Sequence, residues 1–295
     1  MKTLELEEYF EAKALVDEES LHEPTKYLFL TLAGELGGKV LDLGCGSGMM
    51  LRRLLRWGVP RSAVFIGVDS DPGVADPFEH SFSAFFGHVQ ANREENGIEL
   101  AAPGGVRIVL RTQDAEDFLR QEDRYEVITC CSFFDLVNVY SILPLAYERL
   151  SPDGCVYFVS NFGGETYFEP VISRELDDRV VRLYHDSMRR RNLALGIPGG
   201  EYCSGRKLAP IWQGCGGQVV SLGSSDWVVY PGHGEYRRGQ RYLLQSILSF
   251  LADSLRGHPE YDPEEIDFWI QERRAQLENG ELIFVAHNLD FLGTK

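Results

Sequence analysis

The sequence predicts an α/β protein, a mostly parallel sheet with helices on both faces. Three observations carry that expectation. Largely apolar runs at 40–43, 62–69, 106–110, 125–131 and 155–160 have strand length and lack strict alternation, as strands buried on both faces do. Helical stretches separate these runs, and strands that alternate with helices form parallel sheets through right-handed crossovers. Between the first run and the helix after it lies Gly44-Cys45-Gly46-Ser47-Gly48. There the missing Cβ atoms let a ligand lie on the backbone, with helix amides pointing at it.

Length and composition narrow the class. A chain of 295 residues buries a full core, as one large domain or two small ones. Hydrophobic residues make up 44% and charged residues 25%, the ordinary balance of a globular protein. A net charge of −16 argues against a general nucleic-acid binder, whose surface would be basic. The acidic start Met1-Lys2-Thr3-Leu4-Glu5-Leu6-Glu7-Glu8 lacks the apolar segment of a signal peptide, and no apolar run is long enough to span a bilayer. Cysteines 45, 130, 131, 155, 203 and 215 show no C-x-x-C spacing and read as reduced, mostly buried thiols. The expected compartment is the cytoplasm, with no membrane and no nucleic acid among the partners; the oligomeric state stays open.

In chain order, residues 4–35 read as helical, with Leu6, Tyr9, Phe10 and Lys13 on one face and a break around Pro24. Val40-Leu41-Asp42-Leu43 is a buried strand with an acid near its end. The glycine loop after it fails the dinucleotide fingerprint, because Met49 stands where the third glycine should be. It also fails as a phosphate-binding P-loop, since no lysine follows Gly48. A plain turn needs one glycine, not three. Asp42-x-Gly44-x-Gly46-x-Gly48 instead resembles the D/E-x-G-x-G-x-G signature of class I S-adenosyl-L-methionine-dependent methyltransferases. The resemblance implies a Rossmann-like seven-stranded sheet, S-adenosyl-L-methionine as cofactor and S-adenosyl-L-homocysteine as product. That donor carries no phosphate, which fits the missing lysine, while its amino and carboxylate groups need an acceptor and backbone amides.

The second run ends in Asp69, 21 residues beyond Gly48, the separation of one βαβ step. A carboxylate there can accept both ribose hydroxyls of an adenosine ligand. Ser70, Asp71 and Pro72 turn the chain into a helix that reads loosely through Phe78–Asn92. After the third strand, 106–110, the pair Asp114-Ala115 resembles the family's adenine contact. The fourth strand, 125–131, matches the family's acid-containing entry and ends in Cys131-Ser132-Phe133-Phe134-Asp135, where open α/β sheets place their ligands. Residues 144–150 read as a helix, with Pro144 tolerated only in its first turn. A turn at 151–154 and the fifth strand at 155–160 follow.

Beyond residue 160 the alternation stops. Arg174–Asn192 is a long helix, Arg206–Gly214 precedes a sixth strand at 219–222, and Trp227–Tyr230 extends that strand or pairs with it. Arg241–Leu255 and Pro263–Leu277 read as helices, and Leu282–His287 as the terminal strand. The family's last two strands form an antiparallel hairpin, so residues 231–280 exceed an ordinary loop. The expected organisation is an N-terminal helical lid over 1–35 and a methyltransferase domain over 36–295. Its core is 36–160, 206–230 and 281–290, with helical cap insertions at 161–205 and 231–280.

The donor-binding residues implied by the resemblance are Asp42, Gly44, Cys45, Gly46, Gly48, Asp69, Ser70, Asp114, Ala115, Cys131 and Ser132. Methyl transfer is an in-line displacement that needs orientation first, and a base only where the nucleophile carries a proton. The acceptor side is therefore written less clearly. Asp135 either faces the substrate or caps the next helix, and His185 is either a base or a structural helix residue. Phe134, Tyr202 and Arg206 are the acceptor-side candidates, with a surface loop as the alternative for the last two. The Arg189-Arg190-Arg191 run binds an anionic acceptor or is a solvated helix face. No histidine spacing suits a metal. The acceptor is expected to be a small molecule, methylated on N or O. The rival readings are a catalytically silent donor-binding protein, an aminopropyl transferase, and an NAD-dependent oxidoreductase.

Overall fold

The apolar runs become strands in the computed structural model, which describes residues 3–34, 36–60, 62–121, 123–237 and 239–295. Helix α1 (Thr3–Ser20) ends before Leu21, and α2 (Glu23–Ala33) carries Pro24 in its first turn. The expected break falls at Leu21 and His22, and Pro24 lies in the first turn of the helix after it, where a missing N–H costs nothing. The Leu6 side chain lies outside the described residues. Strand β1 (Lys39–Leu43), α3 (Met49–Trp57) and β2 (Val64–Asp69) stand where the sequence puts them.

Helix α4 (Ala75–Phe86) stops at Gly87, whose φ of +78° ends a helix in left-handed geometry. The helical reading through Asn92 is corrected here. Residues from Gln90 form a hairpin, β3 (Gln90–Glu94) and β4 (Gly97–Ala102), that leads into β5 (Val106–Thr112). Helix α5 (Ala115–Leu119) and β6 (Tyr125–Cys131) follow, then α6 (Val139–Arg149). Pro144 is the sixth residue of α6, not a first-turn residue. The carbonyl it leaves without a donor belongs to Tyr140, an exposed residue of the first turn. Strand β7 (Leu150–Glu169) takes in the 151–154 turn and continues nine residues past Ser160. The remaining elements are α7 (Arg174–Ala194), α8 (Leu208–Gly214), β8 (Gln218–Ser224), β9 (Trp227–Val229), α9 (Gln240–Arg256), α10 (Pro263–Glu278) and β10 (Ile283–Thr294). Ten strands are described where seven were expected; the hairpin adds two and β9 the third.

The chain divides into two compact units. The larger comprises Leu21–Asn161, Ser204–Ser224 and Leu289–Lys295. Its strands run in the order β3-β4-β5-β2-β1-β6-β7-β10-β8. Neighbours among β5, β2, β1, β6 and β7 are parallel, while the hairpin pairs with β5, and β10 with β8, antiparallel. Alternate residues of each central strand feed opposite layers. Val40 and Phe65 join Leu51, Phe78 and Phe82 on one side, and Leu41, Leu43 and Val68 join Ile128, Leu143 and Trp212 on the other. This is the helix–sheet–helix sandwich that a parallel sheet requires.

The smaller unit comprises Met1–Ser20, Phe162–Cys203 and Ser225–Asn288. Residues from α1, α7, α9 and α10, among them Val16, Val180, Leu248 and Trp269, share one apolar cluster with Phe168 and Phe284. Strand β9 pairs with β10, through Val229 opposite Phe284 and Trp227 opposite Ala286, so it neither extends β8 nor pairs with it. Arg273 is fully buried. Its guanidinium ion-pairs with Asp177, donates to the Pro170 carbonyl at 2.6 Å, and lies 4.9 Å from the Trp269 ring centre. Among the described residues, no helix is long and apolar enough to cross a membrane.

Candidate functional site

The glycine loop leaves β1 in the larger unit with all three glycines at positive φ. A Cβ on Gly44 would stand 2.3 Å from the Phe133 ring, and one on Gly48 would stand 2.5 Å from Phe82. Both positions thus require glycine for backbone conformation and for space. The Gly46 N–H donates to Asp69 Oδ2 at 2.9 Å, and the Asp71 N–H donates to Asp69 Oδ1 at 3.0 Å. The Cys45 N–H reaches the Val68 carbonyl at 3.1 Å, and Arg52 N–H to Gly48 O at 3.0 Å opens α3. The loop is therefore fastened to the tip of β2 by its own amides. A carboxylate has about four lone-pair sites, so each Asp69 oxygen keeps room for a ligand hydroxyl. Burial pushes the Asp69 carboxyl up from its ordinary range, and the Asp71 and Gly46 amides pull it back.

Asp42 is buried at 1% exposure. Its Oδ1 accepts from the Thr129 hydroxyl at 3.0 Å, while Oδ2 is buried with no partner. Burial pushes this carboxyl up to about 8, against the Thr129 bond and the Arg53 charge. The Cys45 and Cys130 thiols rise for the same reason, so neither is a thiolate nucleophile at neutral pH. Thr129 and Arg53 escaped the sequence reading because neither belongs to a motif. Their one signal is position, Thr129 within a strand and Arg53 within the helix after the glycine loop.

The other candidates are distributed along the same strand ends. Ser70 is exposed just past β2. Asp114 caps α5, its Oδ1 accepting from the Glu116 and Asp117 amides at 2.8 and 3.1 Å, and Ala115 is buried beside it. After the half-buried Cys131, Ser132 takes φ +50°, donates its N–H to the Val159 carbonyl at 3.0 Å and its hydroxyl to the Ser160 carbonyl at 3.1 Å. Ser160 takes φ +54° and donates its N–H to Asp290 Oδ1 at 2.9 Å. Two serines in left-handed backbone, one just past β6 and one within β7, hold strain that the surrounding hydrogen bonds maintain. Phe134 has no exposed surface and packs edge-on against Phe158 at 4.8 Å, so it belongs to the core and offers no wall to a ligand. Asp135 lies in the short 3-10 turn Phe134–Leu136, and the α6 cap is Asn138, whose side chain accepts from Tyr140 N–H at 3.1 Å. The capping alternative for Asp135 therefore falls.

In the smaller unit, the second part of β7 and α7 enclose a cavity of about 550 Å³ lined by Thr166, Tyr167, Val181, His185, Asp186 and Tyr202, among others. His185 Nε2 is 3.1 Å from the Thr166 hydroxyl, and its ring lies 5.6 Å from Phe162 and 5.8 Å from Tyr202. Burial lowers the His185 imidazole from its ordinary value and pushes the Tyr202 hydroxyl up to about 12. Two candidates thus share one cavity. Arg206 is exposed and belongs to the larger unit. Arg189 and Arg190 both pair with Asp186, as on a solvated face. Among the described residues, no cluster of three or more His, Cys, Asp or Glu side chains is arranged to hold a metal ion.

The pattern of one sequence family, described as a methyltransferase domain, matches residues 17–222. The ubiquinone biosynthesis O-methyltransferase of Actinobacillus pleuropneumoniae is 29% identical over 131 residues, which cover 42% of this chain and 46% of that protein. The protein of the same name from Salmonella paratyphi A is 26% identical over 157 residues, 52% of this chain and 56% of its own. The chain spans about half the length of the curated relatives it matches. A solved S-adenosylmethionine-dependent methyltransferase from Thiobacillus denitrificans, in complex with S-adenosylhomocysteine, has a TM-score of 0.46 at 16% identity, covering 93% of this chain and 91% of its own.

Proposed function

We propose that the chain, which belongs to the methyltransferase domain family, methylates an oxygen of a small-molecule acceptor. The methyl donor of this family is S-adenosylmethionine, and the product is S-adenosylhomocysteine. When bound, the donor supplies a methyl carbon on a cationic sulfur, and the electron pair of the breaking bond stays on that sulfur. The choice of oxygen follows the two bacterial relatives, both ubiquinone biosynthesis O-methyltransferases.

One observation carries the site assignment. The Gly46 amide and the Asp69 carboxylate are hydrogen-bonded to each other, so the glycine loop and the β2 acid form one fixed surface. Asp69 keeps a lone-pair site on each oxygen for the two ribose hydroxyls. Gly44, Cys45, Gly46 and Gly48 supply backbone without side-chain obstruction from the glycines. The Asp42 carboxyl holds its proton in the free protein, and the ammonium of an amino-acid tail is the countercharge that lets its unpartnered Oδ2 ionise and accept. Ser70, Asp114 with Ala115, and Cys131 with Ser132 complete the adenosine side. The chain's work is to hold the reacting groups in line and keep water out. The protein acts in the cytoplasm without a nucleic-acid partner, and residues 161–205 and 231–280 are insertions on the methyltransferase core.

Calorimetric titration with S-adenosylhomocysteine, with NAD and ATP as controls, tests this reading. Saturable binding of the first compound alone is expected. Asp69→Ala removes a charged acceptor whose hydrogen bonds are worth about 1.5–3 kcal/mol each, and tenfold or weaker affinity is expected. Equal affinity in the variant would move the site elsewhere. Product mass after turnover separates methyl from aminopropyl transfer.

A further inference from the structure

The residues that hold the methyl donor all belong to the larger unit, whereas the cavity between the outer part of β7 and α7 lies wholly in the smaller one. Its volume of about 550 Å³ is that of a small-molecule pocket. One end is aromatic. The Phe162 and Tyr202 ring centres lie 5.6 and 5.8 Å from the His185 ring and 6.3 Å from each other. Three segments of chain thus bring their rings into one cluster, of which His185 and Tyr202 face the cavity. Tyr167 lines the same space with 55% of its surface exposed.

The remaining lining is charged, with five carboxylates against three guanidiniums. Its ion pairs sort these charges. Arg182 pairs with Glu260 at 3.1 Å, and Arg189 pairs with Asp186 at 2.8 Å. Asp177 is taken by the buried Arg273. Glu165, Glu169 and Asp178 then face Arg174 as the one further lining guanidinium. Glu165 stands at the aromatic end. Burial lowers the His185 imidazole and raises the Tyr202 hydroxyl, and the Glu165 charge works against the first effect and with the second. A neutral imidazole at pH 7 adds no positive charge to this wall. The cavity therefore sets surplus negative charge beside aromatic rings.

We propose that this cavity is a binding site for a small aromatic amine in its ammonium form. The ligand ring packs against Tyr202 and His185, and the ammonium lies among Glu165, Glu169 and Asp178, beside Tyr167. There it gains charge-assisted hydrogen bonds and the attraction of an aromatic face. A carboxylate ligand would meet surplus charge of its own sign. A neutral ring would leave the carboxylates unused, and a metal ion would leave the rings unused. Among the described residues no cluster of His, Cys, Asp or Glu is arranged for such an ion.

The test uses the full chain without a methyl donor and three probes of similar shape: 2-phenylethylammonium, 2-phenylethanol and 3-phenylpropionate. Titration followed by ligand saturation-transfer NMR gives the three affinities. The ammonium is expected to bind about tenfold more tightly than the alcohol, the combined scale of an exposed ion pair and a cation–π contact, and the carboxylate should bind most weakly. Raising the ionic strength should shrink the ammonium's advantage. Val181→Phe fills the cavity from α7 and should abolish binding of the ammonium. Asp178→Asn, at an exposed position, should weaken the ammonium about threefold and leave the alcohol unchanged. No saturable binding of the ammonium, equal affinity for all three probes, tighter binding of the carboxylate, or undiminished ammonium binding in Asp178→Asn overturns the proposal. With no donor present, these outcomes judge the cavity alone, and the S-adenosylhomocysteine titration judges the methyl-transfer reading separately.

Discussion

Asp42→Asn is expected to flatten the pH dependence of stability and to stabilise the protein most at the alkaline end. In the folded chain this buried carboxyl ionises at about 8, against an ordinary value of 3.8. Between those limits the folded state holds a proton that the unfolded state has released. Each pH unit therefore favours unfolding by about 1.4 kcal/mol. The stability linked to this proton is complete below pH 3.8 and is lost as pH rises towards 8. Between pH 5 and pH 8 the loss from this one group is about 4 kcal/mol. Asparagine keeps the shape, retains an acceptor for the Thr129 hydroxyl, and has no proton to lose. The amide it places where Oδ2 stood carries a desolvation cost, but that cost does not vary with pH and cancels when slopes are compared. Urea unfolding of both proteins at several pH values between 5 and 8 measures the effect. The gap between them should widen in favour of the variant towards pH 8. Parallel stability profiles would refute the reasoning, because they would mean that Asp42 is already ionised in the folded chain.

Two further substitutions test packing. Gly44→Ala sets a Cβ 2.3 Å from the Phe133 ring at φ +64°, which costs about 1–2 kcal/mol in the backbone and about 1–3 kcal/mol in ring displacement. A melting temperature lower by several degrees is expected, and an unchanged one would show that Phe133 does not pack beneath the loop. Arg273→Met removes one member of a buried ion pair and leaves Asp177 without its countercharge, a loss of about 3–5 kcal/mol. The denaturation midpoint should fall accordingly, and adding Asp177→Asn should restore part of the loss.

The sequence was most readable where one physical demand dominated. Strands β1, β2 and β6 are buried on both faces, so apolar runs mark them. The glycine loop is legible because positive φ and close ring contact leave no other residue type at Gly44 and Gly48. The hairpin at β3 was illegible for the opposite reason. Gln90-Ala91-Asn92-Arg93-Glu94 is exposed at every position, so no burial periodicity exists to be read. β9 was placed against β8 because the two are adjacent in sequence, whereas its pairing partner is β10, more than fifty residues later. Pairing across that distance leaves no local trace. Phe134 looked like a pocket wall because it follows a strand tip, yet chain direction at the tip turns Phe133 under the loop and Phe134 into the core. On the acceptor side, His185 and Tyr202 were singled out separately and share a cavity.

The hairpin β3–β4 also governs the order in which the sheet can be closed. Without it, β5 would present an unpaired row of amides and carbonyls, a template on which other chains aggregate. β4 occupies that row from Ala102 opposite Val106 to Gly97 opposite Arg111, and the outer strand β3 is polar and exposed. Arg93 on β3 pairs with Asp76 and Glu79, and Glu94 pairs with Arg111 of β5. The β4–β5 connection is local, so its loop-closure entropy is small. The hairpin leaves the ribosome before β5, and β6, the later central strand, comes after both. The edge of the growing sheet is thus moved from β5 to the polar, charged β3 before its middle is complete, and the slow assembly of the parallel strands proceeds with that less inviting strand outermost.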